Sequence, residues 1–260
     1  MEYKFLDITA DNNIVVVKIN RAEKLNALNS DVVNSLRMFF QNIESDKNVK
    51  IVVLTGAGDK AFVAGADISE MVNFNTFEAH EFAKIGINLL RILENSTKII
   101  ISAVNGYALG GGFEIALSSD IIVASKKAKF GFPEVTLGII PGFGGTQNLP
   151  RAVGPYIAKE LIFSGRIIDA QEAYNLRLVS RIEEPDNLMK STIELAKKIS
   201  ANGYYAVFSA KEAIVNGLNM AKNEGLNFES NLFAKLFSTE DQKEGMKAFL
   251  EKRKAEFKNR

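Results

Sequence analysis

Apolar positions in this chain recur in two patterns. Short β-branched runs, "IVVVKIN" from Ile14, "IVVLTG" from Ile51, "IIISAVNG" from Ile99, "DIIVAS" from Asp120 and "RLVSRI" from Arg177, have the length and composition of strands, and several end in Asn, Gly or Ser. Between them apolar residues return at helical spacing. Ser30 to Asp46 places Val32, Val33, Leu36, Phe39, Phe40 and Ile43 on one face, and Phe77 to Glu94 reads as a second helix. Alternating strands and helices predict an α/β body over residues 1–190. No strict sequence period accompanies the alternation.

After about Asn187 the strand signals stop. "NLMKSTIELAKKISA", "YAVFSAKEAIVNG", "NEGLNFESNLFAKLF" and "TEDQKEGMKAFLEKRKAEF" predict four helices, and residues 191–260 are expected to form a separate helical region. Ser238 and Asp241 have the spacing of a capping box at the start of the last helix. Phe228, Leu232, Phe233, Leu236 and Phe237 make a broad apolar face, which a sheetless region must bury against the main body or against another subunit. The basic end "KRKAEFKNR" reads as a solvated helix face.

Composition narrows the function classes. Of 260 residues, 47% are apolar and 24% charged, the proportions of an ordinary globular protein. A formal charge of +1 argues against nucleic-acid or membrane-surface partners, which select a strong basic field. The lack of cysteine excludes disulfides, thiolate metal sites and cysteine nucleophiles. His80 is the single histidine, so a zinc site is not expected, and it reads as a solvated helix residue. "MEYKFLDITADNN" lacks the basic and apolar regions of a secretory leader, and no apolar run approaches a membrane span, so a cytoplasmic location is expected.

The chemistry concentrates in "YALGGGFEIALSSD", from Tyr107 to Asp120. A carboxylate, Glu114, sits between Phe113 and Ile115, where it costs free energy unless paired, hydrogen-bonded or protonated. Gly110, Gly111 and Gly112 precede it. Glycines admit close approach of backbone to ligand, and a helix start offers unpaired amides at the positive end of the dipole. With the helix starting at these glycines, Glu114 lies on the same face as Gly111. A second carboxylate, Glu134, follows Pro133 in "AKFGFPEVTLGIIPGFGGTQ", and "AFVAGADISEM" from Ala61 is a natural place for another exposed amide. The closely spaced glycines of "GAGDKAFVAGAD" fit neither a phosphate-binding loop nor a dinucleotide fingerprint. Two carboxylates, two candidate amide donors and no metal-ligand cluster suit chemistry at the carbon beside a carbonyl, where an enolate oxygen is held while protons move.

These segments, with "NRAEKLNALN" near the start and "EGMKAFLEKRKAEFK" near the end, occur in an order that resembles the enoyl-CoA hydratase (crotonase) family over essentially the whole chain, and most of all its short-chain bacterial members. The resemblance implies a spiral of strand-strand-helix units followed by a helical trimerisation region, assembled as a trimer or a dimer of trimers. It implies that the amides of Ala66 and Gly111 form an oxyanion hole for an acyl-CoA thioester. Glu134 would supply the α-carbon proton, and Glu114 would orient and activate water. It further implies CoA contacts from Lys24, Leu25 and Ala27, from Ala64, Gly65, Ala66, Asp67 and Ile68, and from Gly110 and Gly111. Phe249 and Lys252, of the same or a neighbouring subunit, would lie near the adenine. No redox cofactor or metal is implied. Both glutamates together favour a hydratase over a double-bond isomerase, which often keeps only the second.

Four positions depart from the pattern. Phe132 stands where glutamine is usual, beside the catalytic loop, and is expected to reshape the acyl pocket or its hydrogen bonding. Ala22 replaces a common proline. Asn148 stands where arginine is frequent, which would remove an ion pair. Phe113 replaces a small or sulfur-containing residue.

Overall fold

The computed structural model describes residues 3–260. The strands are β1 (Leu6–Asp11), β2 (Ile14–Ile19), β3 (Ile51–Gly56), β4 (Ala61–Val63), β5 (Ile99–Val104), β6 (Tyr107–Leu109), β7 (Ile121–Ser125), β8 (Lys129–Gly131), β9 (Ile167–Asp169) and β10 (Arg181–Glu183). The helices are α1 (Ser30–Ile43), α2 (Ile68–Met71), α3 (Thr76–Asn95), α4 (Gly111–Leu117), α5 (Gly145–Val153), α6 (Pro155–Ser164), α7 (Ala170–Asn175), α8 (Leu188–Ser200), α9 (Tyr204–Gly217), α10 (Lys222–Leu236) and α11 (Glu240–Leu250). The chain divides within α8 into two compact units, the first ending at Ile193 and the second beginning at Glu194.

The first unit carries two sheets. Six strands run in the order β1-β2-β3-β5-β7-β10 and four in the order β4-β6-β8-β9. Three consecutive turns of chain, β3-β4, β5-β6 and β7-β8, each give their first strand to the larger sheet and their second to the smaller, with parallel neighbours in both. This is the expected spiral of strand-strand-helix units. Every residue of β3 and β5 is buried, because parallel strands packed on both faces need continuous apolar runs, and that made "IVVLTG" and "IIISAV" conspicuous in the sequence. The second strands are three residues long, too short for any periodicity to register.

The predicted helix faces lie inward. Val32, Val33, Leu36, Phe39 and Phe40 of α1 are buried, and Asn29 caps the helix by accepting from Val32 N–H at 3.0 Å. α3 opens on a capping box between Asn75 and Glu78 and buries Phe82, Leu89, Leu90 and Leu93. "RLVSRI" yields strand only at its end. Arg177 turns through φ +63°, Leu178 and Val179 are buried in the connection, and pairing with β7 begins at Arg181.

The second unit contains the helices read at the C-terminal end, with two corrections. The last helix ends at Leu250 instead of running on to Phe257: Lys252 adopts φ +55°, Arg253 N–H bonds back to the carbonyl of Ala248, and the following residues turn onto α11. The expected capping box is absent. Thr239 caps α11 through Gln242 N–H, while the Asp241 carboxylate accepts from Lys258 N–H at 2.6 Å and Asn259 N–H at 2.9 Å. Of the apolar face on α10, Leu232 is buried, whereas Phe233 and Phe237 remain exposed.

Candidate active site

The three glycines between β6 and α4 do different work. Gly110 sits at φ +48°, and a β-carbon on it would lie 2.6 Å from Glu134 Oε1, so both its backbone angle and its neighbour require glycine. A β-carbon on Gly112 would lie 2.1 Å from the carbonyl oxygen of Val63, so its bareness lets α4 pack against β4. Gly111 is the first residue of α4, where an N–H has no intrahelical acceptor.

A second unpaired amide comes from the chain after β4. Leu28 N–H donates to Gly65 O and Asp67 N–H donates to Leu28 O, so the parallel bridge between Leu28 and Ala66 is made by the residues flanking Ala66. The N–H of Ala66 itself turns to the opposite side. Ala66 and Gly111 both line a cavity of about 520 Å³, together with Glu114 and Glu134.

Glu114 is 1% exposed. Its Oε1 accepts from Phe143 N–H at 2.8 Å and from Gly145 N–H at 2.7 Å, the latter at the start of α5. Burial pushes the carboxyl above its ordinary range, and the amides of Gly145, Phe143 and Gly144 at the positive end of α5 pull it back. Glu134 lies in a short 3-10 turn, Pro133–Leu137, that begins at its proline. Its Oε2 is buried with no hydrogen-bond partner. Burial first, and the nearby Glu114 charge after it, raise its pKa to about 7 against the pull of its own backbone amide. Two carboxyl groups with raised proton affinity thus face one cavity beside two unpaired amides. Such a set can hold a carbonyl oxygen as it gains charge while protons move at the adjoining carbons.

Residues 9–260 match the family model described as "Enoyl-CoA hydratase/isomerase". The chain belongs to the enoyl-CoA hydratase/isomerase family. It is 51% identical over the full length of both chains to a short-chain-enoyl-CoA hydratase of Clostridium acetobutylicum. It is 43% identical to a crotonyl-CoA hydratase of Syntrophomonas wolfei, covering 99% of each chain. Among solved structures, the enoyl-CoA hydratase of Bacillus anthracis superimposes with a TM-score of 0.96 at 38% identity, over 99% of this chain and 100% of that one.

The cavity of this enoyl-CoA hydratase/isomerase chain brings together eight of the residues expected there: Ala64, Gly65, Ala66, Ile68, Gly110, Gly111, Glu114 and Glu134. Asp67 is not among them. Its carboxylate turns away to Arg21 and caps α2 through Ser69 N–H, because a nearly buried charge settles where cation and amide can satisfy it. Lys24, Leu25 and Ala27 do not line the cavity either. They form the turn that precedes Leu28, with Leu25 at φ +52° and its carbonyl accepting from Ala64 N–H. Phe249 and Lys252 belong to the second unit, at the end of α11, where Phe249 is 83% exposed.

Several contributors escaped sequence reasoning. Phe143 and Gly145 act on Glu114 through backbone amides, for which the glycines of "PGFGG" were the one available signal. Ala79, Phe82 and Ala83 of α3 form an apolar wall, joined by Leu137 at the end of the 3-10 turn and by Ile139 and Ile140 after it. Phe132 does not line the cavity. Its ring is fully buried, stacks on Phe113 with centroids 4.9 Å apart, and occupies the space a β-carbon on Gly145 would need. The two phenylalanine departures are therefore one packed pair beneath the carboxylate site. Asn148 donates to Glu94 Oε1 at 2.9 Å and to Ser118 Oγ at 3.2 Å, amide hydrogen bonds to a carboxylate and a hydroxyl where an arginine would have made an ion pair. Among the described residues no cluster of His, Asp or Glu could hold a metal, and no helix is long and apolar enough to cross a membrane.

Proposed function

We propose that this protein is an enoyl-CoA hydratase that adds water reversibly across the double bond of short-chain trans-2-enoyl thioesters such as crotonyl-CoA. The observation that carries the reading is the pair Glu114 and Glu134 on one cavity with the unpaired amides of Ala66 and Gly111. The thioester carbonyl accepts from both amides, which withdraws electrons and makes the β-carbon electrophilic. Glu114 takes a proton from water as the oxygen attacks that carbon, its Oε1 already held by two amides so that Oε2 faces the reaction. Charge accumulates on the carbonyl oxygen, where the amides stabilise it. Glu134, with a pKa near 7, gives its proton to the α-carbon and collapses the enolate to the 3-hydroxyacyl product. Elimination retraces these steps. The residues need no redox cofactor or resident metal, since both proton transfers and the charge are assigned to the chain.

An isomerase would move the double bond without water and needs a single proton shuttle; the amide-anchored Glu114 favours hydration. We further propose that the protein works in the cytoplasm as a trimer or dimer of trimers, with the helical region 191–260 as the contact, that the CoA moiety passes the turn Lys24–Ala27, and that Phe249 and Lys252, of the same or a neighbouring subunit, serve the adenine. Incubation with crotonyl-CoA in ¹⁸O-water, with mass analysis of the product, tests the reaction. A 3-hydroxyacyl thioester carrying one heavy oxygen is expected. Turnover of a 3-enoyl thioester to its 2-enoyl isomer, without hydration of the latter, would overturn it.

A further inference from the structure

The residue after Ala66 is a carboxylate, an unfavourable neighbour for an amide that must hold developing negative charge. Asp67 lies one Cα spacing of ~3.8 Å along the chain. Its side chain is only 10% exposed, so solvent screens it poorly. What faces it is Arg21, 12% exposed, whose Nη2 lies 2.7 Å from Asp67 Oδ2. The other carboxylate oxygen accepts from Ser69 N–H at 3.1 Å and from the Ser69 hydroxyl at 2.5 Å. Neither Arg21 nor Asp67 lines the cavity that holds Glu114 and Glu134.

We propose that Arg21 is a positioning residue for catalysis: it cancels the Asp67 charge beside the Ala66 amide and so keeps that amide electropositive toward the enolate. The inference rests on the reading of Ala66 as an oxyanion donor. A purely mechanical role for the pair is the alternative, since Arg21 also donates to the carbonyl of Ala27 at 3.1 Å and thereby ties the turn before Leu28. That turn, however, has its own anchors. Asn26 is fully buried, accepts from Arg21 N–H at 3.0 Å and donates to the carbonyls of Ala57 and Ala61 at 3.0 and 2.9 Å. Leu28 is bonded on both sides of Ala66, and Glu70 of α2 accepts from Ser30 N–H and hydroxyl at the start of α1. The backbone around Ala66 is thus fixed several times over without the guanidinium, whereas the Asp67 charge is offset by a cation only once.

Charge cancellation and clamping separate in a double variant. Arg21→Met is expected to lower kcat for crotonyl-CoA by ~10-fold or more while KM stays within about threefold. Asp67→Asn alone is expected to stay within about threefold of wild type, Arg21→Lys to retain most of the activity, and Arg21→Met with Asp67→Asn to recover most of what Arg21→Met loses. A double variant as slow as Arg21→Met, or Asp67→Asn as damaging as Arg21→Met, would mean a clamp and overturn the proposal. The same four variants are read without turnover through the ultraviolet absorbance of the enolate of acetoacetyl-CoA bound to the protein. The enolate fraction should fall in Arg21→Met and return in the double variant. Enolate binding with this charge dependence in a protein that does not hydrate crotonyl-CoA would sink the hydratase reading and leave the inference standing. A wild-type protein that neither hydrates nor binds the enolate would remove the Ala66 assignment and the inference with it.

Discussion

Glu134 ends in a buried oxygen with no hydrogen-bond partner, and its proton affinity follows from that. Its pKa rises from 4.5 to about 7 on folding, so the native state binds more protons than the unfolded chain between these values. Stability is therefore lost as pH rises through about 7, by up to ~3 kcal/mol for this group. Glu134→Gln should unfold at higher urea than wild type at pH 8, and the difference should vanish below pH ~4.5. The same ionisation governs chemistry. Hydration needs Glu134 protonated, so kcat/KM for hydration should fall as pH rises through about 7, with the apparent value belonging to the Glu114–Glu134 pair. Gly111→Pro removes an N–H at a helix position where proline is tolerated, and is expected to cost ~10²–10³ in kcat with the fold retained by circular dichroism. Normal turnover in that variant would exclude the Gly111 amide from the oxyanion hole.

Two helix starts meet at the carboxylates: α4 contributes Gly111 and Glu114, and α5 contributes the amide that holds Glu114. The first was legible in the sequence because three glycines open the backbone to a ligand just where an apolar run carries its single charge. The second was not, since a backbone donor leaves no residue-type mark and Phe143 reads as an ordinary loop aromatic. The same limit hid β4, β6, β8 and β9, each three residues long, while the six-residue β2, β3 and β5 announced themselves through unbroken β-branched runs. The resemblance groups Asp67 with the CoA contacts but gives no sign of its side chain's partner, Arg21, forty-six positions earlier and out of reach of any periodicity. The contact between α4 and β4 is the most sensitive joint. Gly112→Ala drives a methyl group to within 2.1 Å of Val63 O, so α4 or β4 must shift, at a cost of ~1–3 kcal/mol read as a lower urea midpoint. Because β4 leads into Ala64–Ala66, kcat should fall as well.

In the second unit Phe249 is 83% exposed and Leu250 80%, with Phe233, Ile214 and Leu226 also open to solvent. Apolar side chains in that number on one helical region call for cover. Sedimentation equilibrium should give three or six chains per particle at micromolar concentration, and Phe233→Glu should shift the distribution toward monomer. A monomeric wild-type protein would leave the helical region without its proposed role. The most direct test of the whole reading follows the ultraviolet absorbance of the conjugated thioester when wild type, Glu114→Gln and Glu134→Gln each meet crotonyl-CoA. Rapid loss with wild type, and loss slowed by ~10²-fold or more in each folded variant, is the expected result. Wild-type protein that leaves the absorbance unchanged, or either variant turning over at the wild-type rate, would contradict a hydratase built on this carboxylate pair.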